Sequence, residues 1–275
     1  MVNLLFCGND GVFDGFLTCI LSILKRSPSK EPYTFHIFTM ELTRMNPKFT
    51  PLSEAHRSLL ERVAKGYNPE NRVVVTDVSA LYEKELGHCA NEGAYCSPYT
   101  LIRLLADLVE GLPDKLLYLD ADIMFNRDIH LLYDIDITDY EYAAGRDHYG
   151  KYLIQPNYIN AGVLLFNMKK MRETGIFARA RDQLRLKKLV FADQSALIRS
   201  TTRRKVLPQR FNDQKFLHRH TVVRHFSKRL FWTPYPHTEN IKQWQVDKVH
   251  KRFRYHQFDD ILDEYQSILN QTKTD

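Results

Sequence analysis

With 275 residues, of which 44% are hydrophobic and 12% aromatic, the chain is large enough to bury one sizeable core and too apolar to be disordered. No apolar run approaches the ~20 residues of a membrane span, and the sequence opens directly on an apolar strand with no basic n-region and h-region, so a cytoplasmic protein is expected. The net charge of +6 hides a split: residues 1–140 hold 13 Lys+Arg against 20 Asp+Glu, and residues 141–275 hold the other 26 against 13, which points the second half toward something anionic. Cys7, Cys19, Cys89 and Cys96 form no Cys-x-x-Cys pair, which argues against a zinc site and, for Cys7 and Cys19, for buried free thiols.

Along the first half, strand and helix alternate. Val2–Cys7 reads as a strand and Phe13–Lys25 as an amphipathic helix with Phe16, Leu17, Ile20, Leu21 and Leu24 on one face. Tyr33–Thr39 is a strand, Pro51–Gly66 a helix, and Arg72–Val78 a β-branched strand. Ser97-Pro98 predicts a helix running to about Val109, stopped near Gly111 and Pro113. The apolar run Lys115–Phe125 follows as one buried strand that presents Asp120 and Asp122 on the same side, where both carboxylates can meet one hard divalent cation. Beyond it, strands are predicted near Tyr142–Gly145 and Tyr158–Asn167, then a basic helix from about Lys169 to Lys187. A closing helix is predicted over Asp259–Leu269. This order specifies an α/β sheet with helices on both faces, whose ligands gather at the carboxyl ends of strands. The division expected is a main domain over residues 1–240 and a basic, aromatic C-terminal segment over 241–275.

Several residues stand out for chemistry. The loop Gly8-Asn9-Asp10-Gly11-Val12 after the first strand offers glycines for close backbone approach, or simply a turn; it does not complete a dinucleotide fingerprint. Arg103, inside an apolar helix face, either snorkels or aims at a carboxylate or phosphate. Asn160-Ala161-Gly162 places small and amide residues at the start of a strand, as a ligand contact or a plain turn into the strand, and Asp193-Gln194 follows another apolar run, where alone it reads as a helix cap. His225, in the alternating strand Val222–Phe226, is either a structural histidine or a third ligand beside the two aspartates.

Taken in order, these segments resemble family 8 of the retaining glycosyltransferases, a group with the GT-A fold. The anchors are Leu4-Leu-Phe-Cys-Gly-Asn-Asp10, Ser97-Pro-Tyr-Thr-Leu-Ile-Arg103, Leu117-Tyr-Leu-Asp-Ala-Asp-Ile123, Asn160-Ala-Gly-Val-Leu-Leu-Phe-Asn167, Ala192-Asp-Gln194 and His225-Phe-Ser227. The resemblance implies a Rossmann-like mixed sheet and a UDP-sugar donor, with Mn²⁺ (or Mg²⁺) held by Asp120, Asp122 and His225. It also implies that Cys7, Gly8, Asn9 and Val12 hold uracil and ribose, and that Leu119, Asp120 and Ala121 line the donor site. Arg103, Asn160, Ala161 and Gly162 would contact the donor sugar, Asp193 its hydroxyls, and Gln194 would lie beside the anomeric carbon. The family often has an acidic residue and an aromatic where this chain has Asn9 and Val12. Its usual His-x-x-Gly-x-x-Lys-Pro-Trp is here His225-Phe-Ser-Lys-Arg-Leu-Phe-Trp232, which leaves Lys228 or Arg229 as the cation for the diphosphate.

The implied reaction moves a hexose to a saccharide, glycan or glycoprotein acceptor, a step of cell-surface polysaccharide construction. The basic runs Arg203–Lys205, His218–His220, Lys228-Arg229 and Lys248–Tyr255 suit an anionic membrane surface, placing the protein at its inner face. Nucleic acid is not an expected partner. Three other readings stay open: a nucleotidyltransferase, which would want a basic Gly-rich first loop; a basic nucleic-acid-binding module, which would show steep salt dependence; and a catalytically weak sugar-nucleotide binder.

Overall fold

The structure is a computed structural model and describes residues 1–93 and 97–272. The first half runs β1 (Val2–Cys7), α1 (Phe13–Arg26), β2 (Tyr33–Thr39), α2 (Glu54–Tyr67), β3 (Arg72–Asp77) and α3 (Ser79–Glu85). Then come β4 (Lys115–Leu119), β5 (Ile123–Phe125), α4 (His130–Tyr133), β6 (Tyr142–Arg146), α5 (Gly150–Leu153) and β7 (Ile159–Asn167). Helices α6 (Met168–Thr174), α7 (Ile176–Leu186) and α8 (Ala192–Ser200) lead to β8 (Arg204–Leu207) and β9 (Val223–His225). A hairpin of β10 (Arg229–Phe231) and β11 (His237–Glu239) precedes α9 (Val246–Lys248) and α10 (Asp259–Gln271).

Seven strands form the main sheet in the order β3-β2-β1-β4-β7-β6-β8. β1 to β4 are mutually parallel, and β7 runs antiparallel to both of its neighbours. The chain therefore steps outward from β1 to β3 and returns to lay β4 on the other side of β1, and that reversal opens a crevice at the carboxyl ends of β1 and β4. Alternation along the strands divides the core between the two faces. Leu4 and Phe6 of β1 and Leu117 and Leu119 of β4 pack with Phe16 and Ile20 of α1; Leu5, Leu116 and Tyr118 pack on the other face with Ile102, Leu105 and Phe177. Ile261, Leu262 and Tyr265 of α10 join the α1 side of that core. No helix among the described residues is long and apolar enough to cross a membrane.

The α/β sheet with helices on both faces is as expected, but four local expectations are corrected. First, Lys115–Phe125 is two strands in two sheets. β4 ends at Leu119, and β5 pairs antiparallel with β9, so Asp120–Asp122 form a turn between the sheets. Second, the helix from Ser97 to Val109 is a pair of 3₁₀ turns, Pro98–Thr100 and Ile102–Leu105. Ser97 does cap it, its hydroxyl accepting from the Tyr99 N–H at 3.4 Å, but the tighter winding stacks Thr100 and Arg103, and the Arg103 Nε donates to the Thr100 carbonyl at 2.8 Å. Third, the basic helix Lys169–Lys187 is broken at Gly175, whose φ of 65° ends α6 and starts α7 in another direction. Fourth, Asp193 and Gln194 sit inside the first turn of α8, which begins after Phe191 in a left-handed conformation (φ 53°). The smaller shifts are of a few residues at the ends of α1, α2, β3 and α10. Cys7 and Cys19 are buried free thiols, and burial pushes both thiols up; Cys96 lies outside the described residues.

Candidate functional site

Two pairings assemble the site. In β4–β7, Leu119 faces Val163, and the Asp120 N–H donates to the Gly162 carbonyl at 2.8 Å, so Asp120 lies across from Gly162. In β5–β9, Ile123 faces His225, and the Phe226 N–H donates to the Asp122 carbonyl at 2.8 Å, which brings His225 beside Asp122. Ligand atoms of Asp120, Asp122 and His225 all lie within 4.8 Å of one another. The convergence comes from the two ladders meeting at a turn, and strand alternation plays no part in it.

The surroundings of these three groups fit a cation. His225 Nδ1 lies 3.1 Å from the Asn212 side-chain oxygen, which can only accept, so Nδ1 carries a proton. In the neutral ring the Nε2 lone pair then faces Asp122, 3.0 Å away, and Asp120, 4.0 Å away. Three electron-rich atoms turned toward one point call for positive charge. Gly162 leaves the room: a Cβ there would lie 2.4 Å from His225 Cε1 and 2.8 Å from Asp120 Oδ2. Two carboxylates and one imidazole suit Mn²⁺ or Mg²⁺. Lys242 already donates its ammonium to Asp122. Burial pushes the Asp122 carboxyl up, but the Lys242 ammonium, together with His225 in its imidazolium form, overcomes this and holds it well below the usual carboxylate range.

A second cluster forms the floor. Arg103 is 2% exposed, so it does not snorkel. Its guanidinium stacks 4.0 Å from the Tyr118 ring centre, pairs with Asp120 at 3.1 Å and Asp193 at 3.4 Å, and donates to the Ala161 carbonyl. Tyr118 donates to the same Asp120 oxygen at 2.6 Å. Asp193 is buried, and burial raises its carboxyl above the ordinary value despite the opposing charge of Arg103. Gln194 accepts the Ala161 N–H at 3.0 Å, while its buried Nε2 makes no close hydrogen bond among the described residues, Tyr158 being the polar neighbour. The Asn160 side chain donates to Asp147 at 3.0 Å and accepts from the Gly162 N–H and Asn212.

A cavity of about 440 Å³ opens over this floor. Arg103, Asp120, Asn160 to Gly162, Asp193, Gln194 and His225 line its inner end, and His148, Tyr149, Lys215, Lys228 and Leu230 its outer end. The first loop is separate from it. Gly8 is required by the chain's own packing, since a Cβ there would lie 2.4 Å from Val12 and 2.8 Å from Phe16. Asn9 is committed to the loop, accepting from Gly11 at 3.1 Å and donating to the Lys48 carbonyl at 3.2 Å. Cys7 is buried within electrostatic reach of Arg103, Asp120 and Asp193. Leu119 is wholly buried, and Ala121 presents its carbonyl to Gln243 at 2.8 Å.

Sequence reasoning missed Asn212, Lys242 and Gln243. Asn212 orients His225, and its one signal was the polar run Asn212-Asp213-Gln214 after Phe211, in a segment read only as basic and aromatic. Gln243 is fully buried and joins the Ala121 carbonyl to the Thr18 hydroxyl. Nothing in Ile241-Lys-Gln-Trp244 foretells a contact with a turn some 120 residues earlier.

Comparison with known proteins bears on this arrangement. The model for glycosyl transferase family 8 matches residues 3–221. A Haemophilus influenzae protein described as a glycosyltransferase is 26% identical over 190 residues, 65% of this chain, and the match spans about half (52%) of that relative's length. The glycosyltransferase GlyA of Streptococcus pneumoniae is 41% identical over 63 residues, 23% of this chain and 9% of its own. An active-site mutant of LgtC superposes with a TM-score of 0.69 at 18% identity, covering 98% of this chain and 96% of that one. The bifunctional glycosyltransferase WbbM superposes with a TM-score of 0.71 at 18% identity, covering 98% of this chain and 51% of its own. Such identities speak for the fold, which is GT-A. With the family model matched over most of its length and that fold beneath it, the chain belongs to glycosyl transferase family 8.

Proposed function

We propose that this protein transfers a hexose from a UDP-sugar to a saccharide, glycan or glycoprotein acceptor, with retention of anomeric configuration and dependence on Mn²⁺ or Mg²⁺. The observation that carries the reading is the Asp120–Asp122–His225 cluster, held within 4.8 Å around the space that Gly162 leaves. A cation bound there supplies electrostatic stabilisation to a leaving diphosphate. Cys7, Gly8, Asn9 and Val12 are assigned to the nucleoside, with Leu119 and Ala121 as backbone supports of the donor site. Arg103 acts through the groups it holds, fixing Asp120, Asp193 and the Ala161 carbonyl in one rigid floor. Asp193 and the Asn160–Gly162 backbone receive the sugar hydroxyls, and Lys228 reaches the donor from the outer wall.

Gln194 is assigned to the reactive face because its buried Nε2 makes no close hydrogen bond among the described residues and the side chain is part of the cavity lining. An amide is a poor nucleophile, so the reaction proposed is a same-face substitution. The bond from the anomeric carbon to the phosphate oxygen breaks, the acceptor oxygen bonds to that carbon, and the acceptor proton passes to the departing diphosphate. The test is UDP release with Mn²⁺ across UDP-galactose, UDP-glucose and UDP-N-acetyl sugars, with Asp122→Ala alongside. Metal-dependent turnover abolished in the variant supports the reading; no turnover and no Mn²⁺-dependent UDP binding overturns it. A role at the inner face of an anionic membrane remains part of the proposal, tested by flotation with anionic liposomes at low salt. Several of the basic groups invoked for it have internal partners, including Lys205 on the Asp136 carbonyl and Arg252 on Glu239.

A further inference from the structure

The outer end of the main cavity shares a wall, His148 and Gln214, with a second cavity of about 100 Å³. That wall is built: the His148 N–H donates to the Gln214 side-chain oxygen at 2.9 Å, and Gln214 Nε2 donates to the Arg146 carbonyl at 2.9 Å. Arg146 and Lys151 line the small cavity, Lys215 lines the large one, and no carboxylate lines the small one. Among the described residues none of these three cations makes an ion pair. Arg146 donates to the neutral Asn157 amide oxygen at 3.1 and 3.2 Å, Lys151 rests over Tyr152 and Lys215 over Phe216.

The nearest acids do not answer this charge. Asp147 also lines the large cavity, where it accepts from the backbone N–H groups of Tyr149 and Gly150 and from the Asn160 amide and, among the described residues, forms no ion pair with the three cations. Asp213 is 1% exposed and accepts from Gln209, Thr221, His218 and the Phe216 N–H. At His148 the cations outweigh the acids: burial pulls its ring below the ordinary value, and Lys215 and Lys151 pull it further, against the smaller opposing effect of Asp147 and Asp213. The inner end is the opposite case, where Arg103 and Lys242 meet Asp120, Asp193 and Asp122 in pairs. One cavity therefore has a floor whose three carboxylates outnumber its two cations, and a mouth where Lys215 and Lys228 outnumber the one lining carboxylate, Asp147.

Building on the proposed sugar transfer, we propose that the acceptor is an anionic saccharide, whose carboxylate or phosphate group lies among Arg146, Lys151 and Lys215 at the His148–Gln214 wall while its hydroxyl reaches the floor. Of these three, the two lysines alone favour an anionic over a matched neutral ligand by about tenfold or more. The residues of the first loop line neither cavity, so these cations stand apart from the nucleoside end of the assigned donor site.

The experiment is titration calorimetry of the full chain, with Mn²⁺ and UDP present, against a glucuronate-ended disaccharide, a 6-phosphorylated disaccharide and their neutral counterparts. The expected result is a preference of about tenfold or more for one or both anionic ligands, weakening with salt. That preference falls toward one in Lys151→Ala/Lys215→Ala and inverts in Lys215→Glu. Both lysines are only half-buried, so the variants are expected to fold. Which anionic ligand wins separates a carboxylate from a phosphate source. Equal binding of neutral and anionic ligands, or a preference untouched in the double variant, overturns the inference. So does binding to anionic vesicles that depends on these lysines without binding to either soluble anionic disaccharide. Failure of wild type to bind UDP with Mn²⁺, measured first, is the separate failure of the underlying reading and takes the inference with it.

Discussion

Replacing Gly162 by Ala probes the cation cluster through one methyl group. Its Cβ would lie 2.4 Å from His225 Cε1, 2.9 Å from His225 Nδ1 and 2.8 Å from Asp120 Oδ2, so something must move. The backbone is the unyielding side, because Gly162 accepts from Asp120 and is flanked by the Leu119–Val163 pairing. The imidazole is confined too, by Asn212 at 3.1 Å and Asp122 at 3.0 Å. Either the ring gives up Asn212 or the β4–β7 ladder parts. Overpacking of this kind costs about 1–3 kcal/mol, and each kcal/mol lowers the melting temperature by about 2–4 °C in a chain approaching this size. Displacing an oriented imidazole weakens metal binding by about 10–100-fold. Thermal unfolding and Mn²⁺ titration calorimetry read the two effects separately. Gly66→Ala is the control: it lies in α2 with nothing within 4 Å of the added carbon, and should stabilise by about 0.5–1 kcal/mol. If Gly162→Ala binds Mn²⁺ like wild type and melts at the same temperature, the reasoning about the cluster is refuted.

Three further outcomes follow from the same geometry. Asn212→Leu removes the acceptor that orients His225 and should lower Mn²⁺ affinity by about 10–100-fold by calorimetry. Asp193→Asn should raise the melting temperature at neutral pH while abolishing transfer. The folded-state pKa of Asp193 lies above its ordinary 3.8, because burial outweighs Arg103, so the protonated carboxyl's contribution to stability is full below 3.8 and lost as pH rises through the raised pKa. The advantage of the variant should therefore vanish on acidification. Asp213→Asn should act with the opposite sign. Burial pushes Asp213 up, but His218, Gln209 and Thr221 hold it below 3.8, so its stabilisation is present above that pH and lost as pH falls through the lowered pKa. Melting curves of both variants from acid to neutral pH check the pair.

Much of this site was readable, though for reasons that the structure revises. The strand-helix alternation of the first 125 residues identifies the sheet because each element buries a face at its own period. The Asp-x-Asp was legible as a pair of carboxylates inside an apolar run. Its geometry was not, because a turn between two sheets and a strand continuing straight look alike when every flanking residue is apolar. Arg103 was ambiguous for the same reason: burial among leucines reads equally as snorkelling or as a rigid floor, and only the positions of Asp120, Asp193 and Tyr118 decide it. The glycines of the first loop were legible as close approach, but Gly8 admits Val12 and Phe16 of this same chain. Lys242 and Gln243 were illegible in principle, since no local pattern encodes a partner 120 and 122 residues away.

Those two distant contacts set an order of events during synthesis. Chains emerge from their amino end at about 5–20 residues per second, so Asp122 precedes its Lys242 partner by about 6–24 s. β1 to β4 can pair in that interval, since their contacts are already present. The half-buried Asp122 must meanwhile keep water as its partner, and the Ala121 carbonyl must wait for Gln243. A nascent chain halted before residue 223, which lacks β9 as well, should hold the parallel half of the sheet with an open acidic turn, and hydrogen exchange on stalled complexes would show β1 protected while β5 still exchanges. Maturation of the site is thus coupled to the arrival of the last fifth of the polypeptide.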